Sequence, residues 1–488
     1  MPITPPSQAA PPPTLELTPE NSWLGGFAES KFFGKPASYD PASVGIDIFA
    51  TIGRLQAGFS PSNPTNQSAV TDAIQWFSNY ISSTQKMYGY STGGKLYEID
   101  VSTNTVTNNG TFPRTIATSR GQGLEVFAGK LWYASNGQLN TYDFASTFTE
   151  PVSGHTGLNT SVNGNNILTP LRTFELTGRL YIGNGNKVYS TDGTTMATSS
   201  SYTLTFPTGT VVEDIWPIGQ FLYLAIDQGR GNTAYRGKAK MAVWDGLTPD
   251  VPNAIYDFPD NAFTRIINNG NEVYGFGGRG FYRWLGNTYS GGNEWQLIYP
   301  TNGEVIAGMV DAFRGFVNFQ DNASIFGFGT PRSLSIPKVL YSPYTGVGNS
   351  GAIRWVSNSS LYVARSTSPF LVYLSSGATT GVTWLNKMVT FPFQMIVKQV
   401  QIFTETLVSG DAITVLIADE NGTQTSLTDN AGNTGFSFAT DGANNTKSFF
   451  PTNNPFASLQ IGIGFTSGAV KVKKVYVWLE PYDILSTN

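Results

Sequence analysis

Apolar and polar residues alternate along most of this chain in short bursts separated by glycine- and asparagine-rich turns, the period-two pattern of half-buried strands. Arg179-Leu180-Tyr181-Ile182 reads as one strand. Gly183-Asn184-Gly185-Asn186 can reach the positive φ angles of a tight turn, and Lys187-Val188-Tyr189-Ser190 returns as the partner strand. The same hairpin recurs. Met87, Leu131, Leu180, Leu222, Val273, Phe316 and Leu361 hold equivalent places in it, separated by 44, 49, 42, 51, 43 and 45 residues. An apolar stretch precedes each hairpin, at 124–127, 171–176, 211–218, 263–267, 305–310 and 353–356. A further strand-like stretch follows most of them, at 202–206, 255–258, 295–299 and 339–341. Val70, Ile74, Phe77 and Ile81 have helical spacing, but the repeat makes 74–77 the first strand of the first unit. Four strands in each period of about 40–50 residues is the signature of a propeller blade. The pattern therefore predicts an all-β chain with a seven-bladed β-propeller over 45–383. An unrelated string of hairpins has no reason to keep a period.

The two ends depart from this pattern. Over 384–488 the alternation is cleaner, as in antiparallel sheets with one wet face, and predicts a jelly-roll-like β-sandwich. Residues 1–44 carry Pro2, Pro5, Pro6, Pro11, Pro12, Pro13 and Pro19, which predict an extended arm, with 1–15 a free tail. Trp23, Leu24, Phe27, Phe32 and Phe33 are apolar anchors along it, expected to dock on this chain or on another subunit. A propeller must also close its last sheet against its first or leave an edge open to other chains. The strand-like segment 46–55, led by Ile46-Asp47-Ile48-Phe49, is the expected closing strand, beside 371–374; residues 382–388 are the rival.

Composition narrows the chemistry. Only 13% of the 488 residues are charged and the net charge is −4, with no basic run to follow a phosphate backbone, so no nucleic-acid partner is expected. Cysteine is absent, which removes disulfides, thiolate metal sites and a thiol nucleophile. His155, the single histidine, sits between Gly154 and Thr156 in a loop and is expected at the surface. One isolated imidazole cannot furnish a Ser-His-Asp triad or a histidine-rich metal site. No stretch approaches the roughly 20 apolar residues of a membrane-spanning helix. The N-terminus lacks the basic start and apolar core of a secretory signal, so the expectation is an unprocessed chain made in a cytoplasm.

Motif fragments resolve into turns. Gly275-Phe276-Gly277-Gly278-Arg279-Gly280 lies inside a hairpin and opens no helix, unlike a phosphate-binding loop. Asp419-Glu420-Asn421-Gly422 and Asp429-Asn430-Ala431-Gly432 lack the later glutamate of a calcium loop. The Asp-box-like Ser190-Thr191-Asp192-Gly193-Thr194-Thr195 and the Trp244-Asp245 pair each stand once, without repetition. Glu213, Asp214 and Asp311 fall on candidate inner strands, where a glycosidase would place its carboxylate pair, but without aromatic platforms beside them. No catalytic, cofactor or metal-binding residues are expected, and the chain is read as no enzyme.

The layout resembles that of a known group. It runs from a proline-rich arm ending in Trp23-Leu24-Gly25-Gly26, through Gly45-Ile46-Asp47-Ile48 and Gly53-Arg54-Leu55, to repeated Lys-Leu-Tyr hairpins. A sandwich with Lys398-Gln399-Val400-Gln401-Ile402 and Ser409-Gly410-Asp411-Ala412-Ile413-Thr414-Val415 follows. Together these resemble the virion proteins of tailed bacteriophages, including propeller-bearing tail and nozzle proteins. The resemblance implies a structural role in a phage particle, with other virion proteins and further copies of the chain as partners. The alternative is a glycan-recognising propeller that stacks sugars on exposed Trp and Tyr in its loops, with a glycan-cleaving enzyme third.

Overall fold

A computed structural model of the protein describes residues 14–482 apart from 25, 28–37, 49–50, 52, 117–120, 163, 200, 229–237, 270–271, 279, 288–292, 301–304, 311–313, 320–323, 330–338, 346–349, 357–359, 379 and 452–454. Each anchor of the sequence repeat lies on the second strand of its own antiparallel sheet. Met87 is on Lys86–Ser91, Leu131 on Lys130–Ser135, Leu180 on Arg179–Asn184 and Leu222 on Phe221–Asp227. Val273 is on Glu272–Phe276, Phe316 on Arg314–Phe319 and Leu361 on Ser360–Arg365. Turn chemistry sets the registers. Asn136 and Gly137 adopt φ of 46° and 76° between Lys130–Ser135 and Gln138–Tyr142, the double positive φ that joins right-twisted strands through a two-residue loop.

The first strands of these sheets are Ile74–Phe77, Gly123–Phe127, Leu171–Phe174, Val211–Ile218, Arg265–Asn269, Val305–Val310 and Ser350–Val356. They contact one another in that order, and Ser350–Val356 contacts Ile74–Phe77. Sheets standing around a closed ring of first strands form a β-propeller arrangement.

The core lies between neighbouring sheets, because each sheet is apolar on both faces. Trp132, Ala134 and Leu139 of one sheet pack with Leu171, Leu180 and Ile182 of the next. Phe174, Tyr181 and Val188 pack in turn with Ile215, Leu222, Leu224 and Trp244. Tyr181 meets Trp244 edge-on at 5.6 Å, and its hydroxyl donates to the Gly246 carbonyl at 2.7 Å. That satisfies a polar group which burial would otherwise leave costly.

Ring closure uses a different N-terminal segment from the one the sequence suggests. Ile46–Asp47 turns back on Gln56–Ala57, pairing Ile46 with Ala57 and Asp47 with Gln56. Gly45 and Gly53, with φ of 81° and 74°, sit at either end of that fold-back. The outer strand beside Leu371–Ala378 is instead Phe59–Ser62. Residues 382–388 do not fill the place either, since Val382–Leu385 pairs with Phe456–Ser467.

The chain groups into two compact units. One holds the described residues within Met1–Ser60, Thr330–Tyr344 and Ser376–Asn488; the other holds Pro61–Gly329 and Thr345–Ser375. In the first, strands run in the order Leu15–Leu17, Val472–Pro481, Val389–Thr404, Phe456–Ser467, Ala412–Ala418, Gln424–Ser426. Met395, Val397, Val400 and Ile402 are buried along one strand, and Val472, Val475, Val477 and Leu479 along its neighbour. The predicted arm over 1–44 is therefore no separate element from Leu15 onward: Leu15 pairs with Val477 and Leu17 with Val475. A buried polar knot holds the following segment in place. The Gln460 amide donates to Asp40 Oδ2 at 2.6 Å and to the Asn386 carbonyl at 2.9 Å, while Asn386 Oδ1 accepts from the Ile461 N–H at 2.6 Å.

Gly275 illustrates how tightly the sheets are packed. A Cβ there would stand 2.6 Å from Phe258, 2.8 Å from Trp295 and 3.0 Å from Phe263, inside a cluster where Phe258 and Phe263 stack at 4.1 Å. Replacing Gly275 with alanine should therefore destabilise the protein by about 1–3 kcal/mol, read as a lower denaturation midpoint with an unchanged m-value. An unshifted midpoint would show that this cluster is loosely packed.

Candidate functional site

Alternation along the first strands sends every second side chain into the middle of the ring, where a cavity of about 290 Å³ lies. It is lined by Gln75, Trp76 and Phe77, by Glu125, by Arg172 and Thr173, by Asp214 and Trp216, by Arg265, and by Ile353 and Arg354, with Asn79 and Glu175 also on its wall. A bulge between Val212 and Asp214 decides what Val211–Ile218 presents. Val212 and Ile215 point into the core between sheets, and the extra residue turns Asp214 and Trp216 to the cavity.

Charge in this cavity is organised around Arg172. Its guanidinium lies 3.6 Å from Glu125 and 3.8 Å from Asp214, bridging three consecutive first strands, and sits 5.1 Å over the Trp216 ring. Asp214 also accepts from the Ile215 N–H at 2.9 Å and, from the next sheet, the Ile266 N–H at 3.2 Å. Both of its oxygens thereby fasten backbone. Burial pushes the Glu125 carboxyl up, and the Arg172 and Arg354 guanidiniums pull it partly back. Burial pushes Arg354 down to about 10, with Glu125 opposing and Arg172 adding to the fall. Arg265 lies 5.1 Å over the Trp76 ring. The two tryptophans that could serve a sugar as platforms thus each carry an arginine on one face.

The carboxylates singled out in the sequence separate here. Asp214 lines the cavity, Glu213 is buried and is not part of its wall, and Asp311 lies outside the described residues. Among the described residues no cluster of His, Cys, Asp and Glu could hold a metal ion. Nor is any helix there long and apolar enough to cross a membrane.

His155 is not the surface residue its loop setting suggests. It is fully buried and packs 5.5 Å from the Trp132 ring. Its Nδ1 lies 2.8 Å from the Ser153 carbonyl and its Nε2 lies 2.7 Å from Thr191 Oγ1 on the next sheet. A carbonyl only accepts, so Nδ1 carries the proton and Nε2 accepts from the threonine. The imidazole is a rivet between sheets.

The arm anchors divide similarly. Pro19–Trp23 forms a short helical turn in which the Thr18 N–H donates to Asn21 Oδ1 at 2.7 Å and the Leu24 N–H to the Pro19 carbonyl at 3.1 Å. This turn buries Trp23 and Leu24 and sets Trp23 edge-on to Trp384 at 5.8 Å, so both dock on this chain. Phe27 lies in a two-residue strand paired with Tyr39, and Phe32 and Phe33 fall outside the described residues.

One recurring feature escaped sequence reasoning. An aspartate at the end of the third strand, or directly after it, recurs in several sheets and accepts the backbone N–H groups that follow it. Asp100 takes Ser102 and Thr103 at 2.9 and 3.1 Å, and Asp143 takes Ala145, Ser146 and Thr147, each at 2.9 Å. Asp192 takes Thr194 and Thr195, and Asp245 takes Leu247 and Thr248, all at 2.8 Å. The spacing of these aspartates, 43, 49 and 53 residues, was the available signal. The isolated Asp-box-like and Trp-Asp fragments are two instances of this one turn.

Comparisons with known proteins give no family. No protein-family model matches the sequence, and no curated protein matches it. Among solved structures, Raptor of Chaetomium thermophilum aligns at 11% identity and a TM-score of 0.47, over 66% of this chain and 30% of that one. The Cps50 (Swd1) β-propeller domain of Myceliophteria thermophila aligns at 9% identity and 0.45, over 66% and 99%. BamB of Moraxella catarrhalis aligns at 13% and 0.38, over 62% and 85%.

Two outcomes test these assignments. Replacing His155 with alanine should cost about 2 kcal/mol, from a cavity beside Trp132 and the loss of its hydrogen bonds; an unchanged melting curve would refute the rivet. Asp143 is held at about 2 by the N–H groups of Thr147, Ala145 and Ser146, below the ordinary value near 4. Its contribution is full above about pH 4 and is lost as pH falls towards 2. In a pH series, Asp143→Ala and the parent should differ in Tm at neutral pH and converge in strong acid. A constant difference would mean the carboxylate charge is irrelevant to the turn.

Proposed function

We propose that this chain is a structural component of a tailed-bacteriophage particle, placed in the tail or its nozzle or adaptor region and acting through protein–protein assembly. In this reading it is made in the host cytoplasm and ends in the virion, among other virion proteins and copies of itself. The ring is a seven-bladed propeller, one blade for each anchor from Met87 to Leu361, and the C-terminal unit is a jelly-roll-like sandwich. The layout of arm, repeated hairpins and terminal sheet supports the reading.

The observation that carries it is a set of exposed aliphatic side chains on the outer strands of two consecutive sheets and beside them. Ile255 on Ala254–Asp257 is 48% exposed and Leu297 on Asn293–Pro300 is 50% exposed, with Leu247, Val251 and Leu285 also exposed. The two sheets meet there, with Trp295 Nε1 donating to the Asp257 carbonyl at 3.1 Å and Tyr256 lying 5.2 Å from Trp284. Several aliphatic side chains left to water on consecutive sheets suit an exterior that assembly covers. Two groups that could have served hydrolysis are engaged elsewhere: Asp214 holds backbone and His155 joins two sheets.

Mass spectrometry of purified phage particles should find the chain in multiple copies. Ile255→Lys with Leu297→Lys should leave a folded chain that no longer enters them. Absence of the parent chain from particles, or its specific retention on a glycan array, would overturn the structural role.

A further inference from the structure

We propose that the cavity inside the ring binds a small anion bearing a carboxylate or phosphate group, with Arg354 as its principal donor. The inference does not rest on the particle reading. It begins with how the cavity's charges are distributed. Arg172 serves both Glu125 and Asp214, so that group of three carries one net negative charge. Arg265 and Arg354 add two positive charges on other first strands, and Glu175, an exposed residue on the wall, adds one negative. The sum is near zero but unevenly placed: the carboxylates Glu125 and Asp214 gather at Arg172.

Arg354 is near enough to Glu125 and Arg172 for their charges to act on it, but it pairs with neither carboxylate of that group. Among the described residues it forms no ion pair, and its side-chain hydrogen bond is a single one, from an Nη to Asn79 Oδ1 at 2.7 Å. Its Nε–H is shut off from solvent and has no acceptor. A guanidinium offers five N–H donors in a plane, and a neutral amide oxygen satisfies only one. Crowding by protein depresses its pKa, which marks a charge that its surroundings do not fully compensate. The Nη–H groups, which are not closed off in this way, can donate to an incoming anion with two oxygens in one plane, which would also bring the opposite charge.

The space suits such a ligand. The cavity of about 290 Å³ is far larger than a single water needs and has room for phosphate or a small di- or tricarboxylate. Asn79 and Gln75 on the same strand and loop can donate to further oxygens. The covered tryptophan faces leave less for an uncharged sugar to stack upon.

The test is calorimetric titration of the full chain at low ionic strength with inorganic phosphate and, separately, with citrate. Saturable binding of at least one probe, one per chain, is expected, and the tighter probe identifies which oxyanion class the site prefers. Arg354→Gln, which keeps the planar head but removes the charge, should weaken binding by about tenfold or more. Absence of saturable binding by either probe, or unchanged affinity in the variant, would overturn the proposal. Should the variant fail to fold, crystals of the parent soaked in the tighter-binding probe decide the matter: density against Arg354 supports the site, and density only elsewhere refutes it.

Discussion

The ring depends on joining its last sheet to its first. Val70, Ile74, Met87, Tyr97, Ile99 and Val106 form one buried cluster with Ala352, Val356, Tyr362, Ala364 and Leu371. Every other sheet finds its partner in the next stretch of chain, but this cluster unites segments at opposite ends of the repeat. Without it two apolar sheet faces would meet water, and at about 25 cal/mol per Å² that exposure outweighs any single polar contact. The polar contacts at the seam are directional. The Tyr362 hydroxyl donates to Asn104 Oδ1, and Arg354 reaches Asn79. They fix the alignment of surfaces that apolar packing has already brought together.

Few charges are available, and those present are used in fixed places. Arg172 bridges three first strands from within the ring, while the Asp100, Asp143, Asp192 and Asp245 turns hold the outer corners. Lys447 performs a similar task in the terminal unit, 3.2 Å from Asp429 and 3.1 Å from Asp441, with Phe436 and Phe449 beneath its ammonium. Such pairs are weak sources of net stability when buried, yet costly to break singly. Their use here is to set geometry between elements that hydrophobic packing alone would let slide.

Much of the propeller was legible because a hairpin repeat is local: its strands and turns answer to neighbours a few residues away. The first strand 74–77 and the second strands at every anchor are examples. Long-range pairing was harder. Phe59–Ser62 contains Pro61, which reads as a breaker, but a proline is tolerated on an outer strand whose N–H side lacks a partner. The more strand-like Ile46-Asp47 was taken up by its own fold-back. His155 was misjudged because a loop residue's burial is set by the sheet facing it, which no local pattern reports. In the cavity, Asp214 was legible as an inner-strand carboxylate, but Arg172 and Arg354 were not, since their meaning comes from strands far apart in sequence.

The pairing of Leu15–Leu17 with Val475–Val477, and of Phe59–Ser62 in one sheet with Leu371–Ala378, has a consequence for how the molecule is made. Segments near the start of the chain receive their partners only after about 300 to 460 further residues have been synthesised. At roughly 5–20 residues per second, the strand at 59–62 waits about 15–60 s before its neighbour leaves the ribosome, and the strand at 15–17 waits longer still. During that interval Trp23, Leu24 and Phe59 have no native surface to cover them. The early proline-rich sequence, slow to form strands of its own, precedes the residues that are exposed longest, and a nascent chain of this design calls for shielding by a chaperone or by prompt capture.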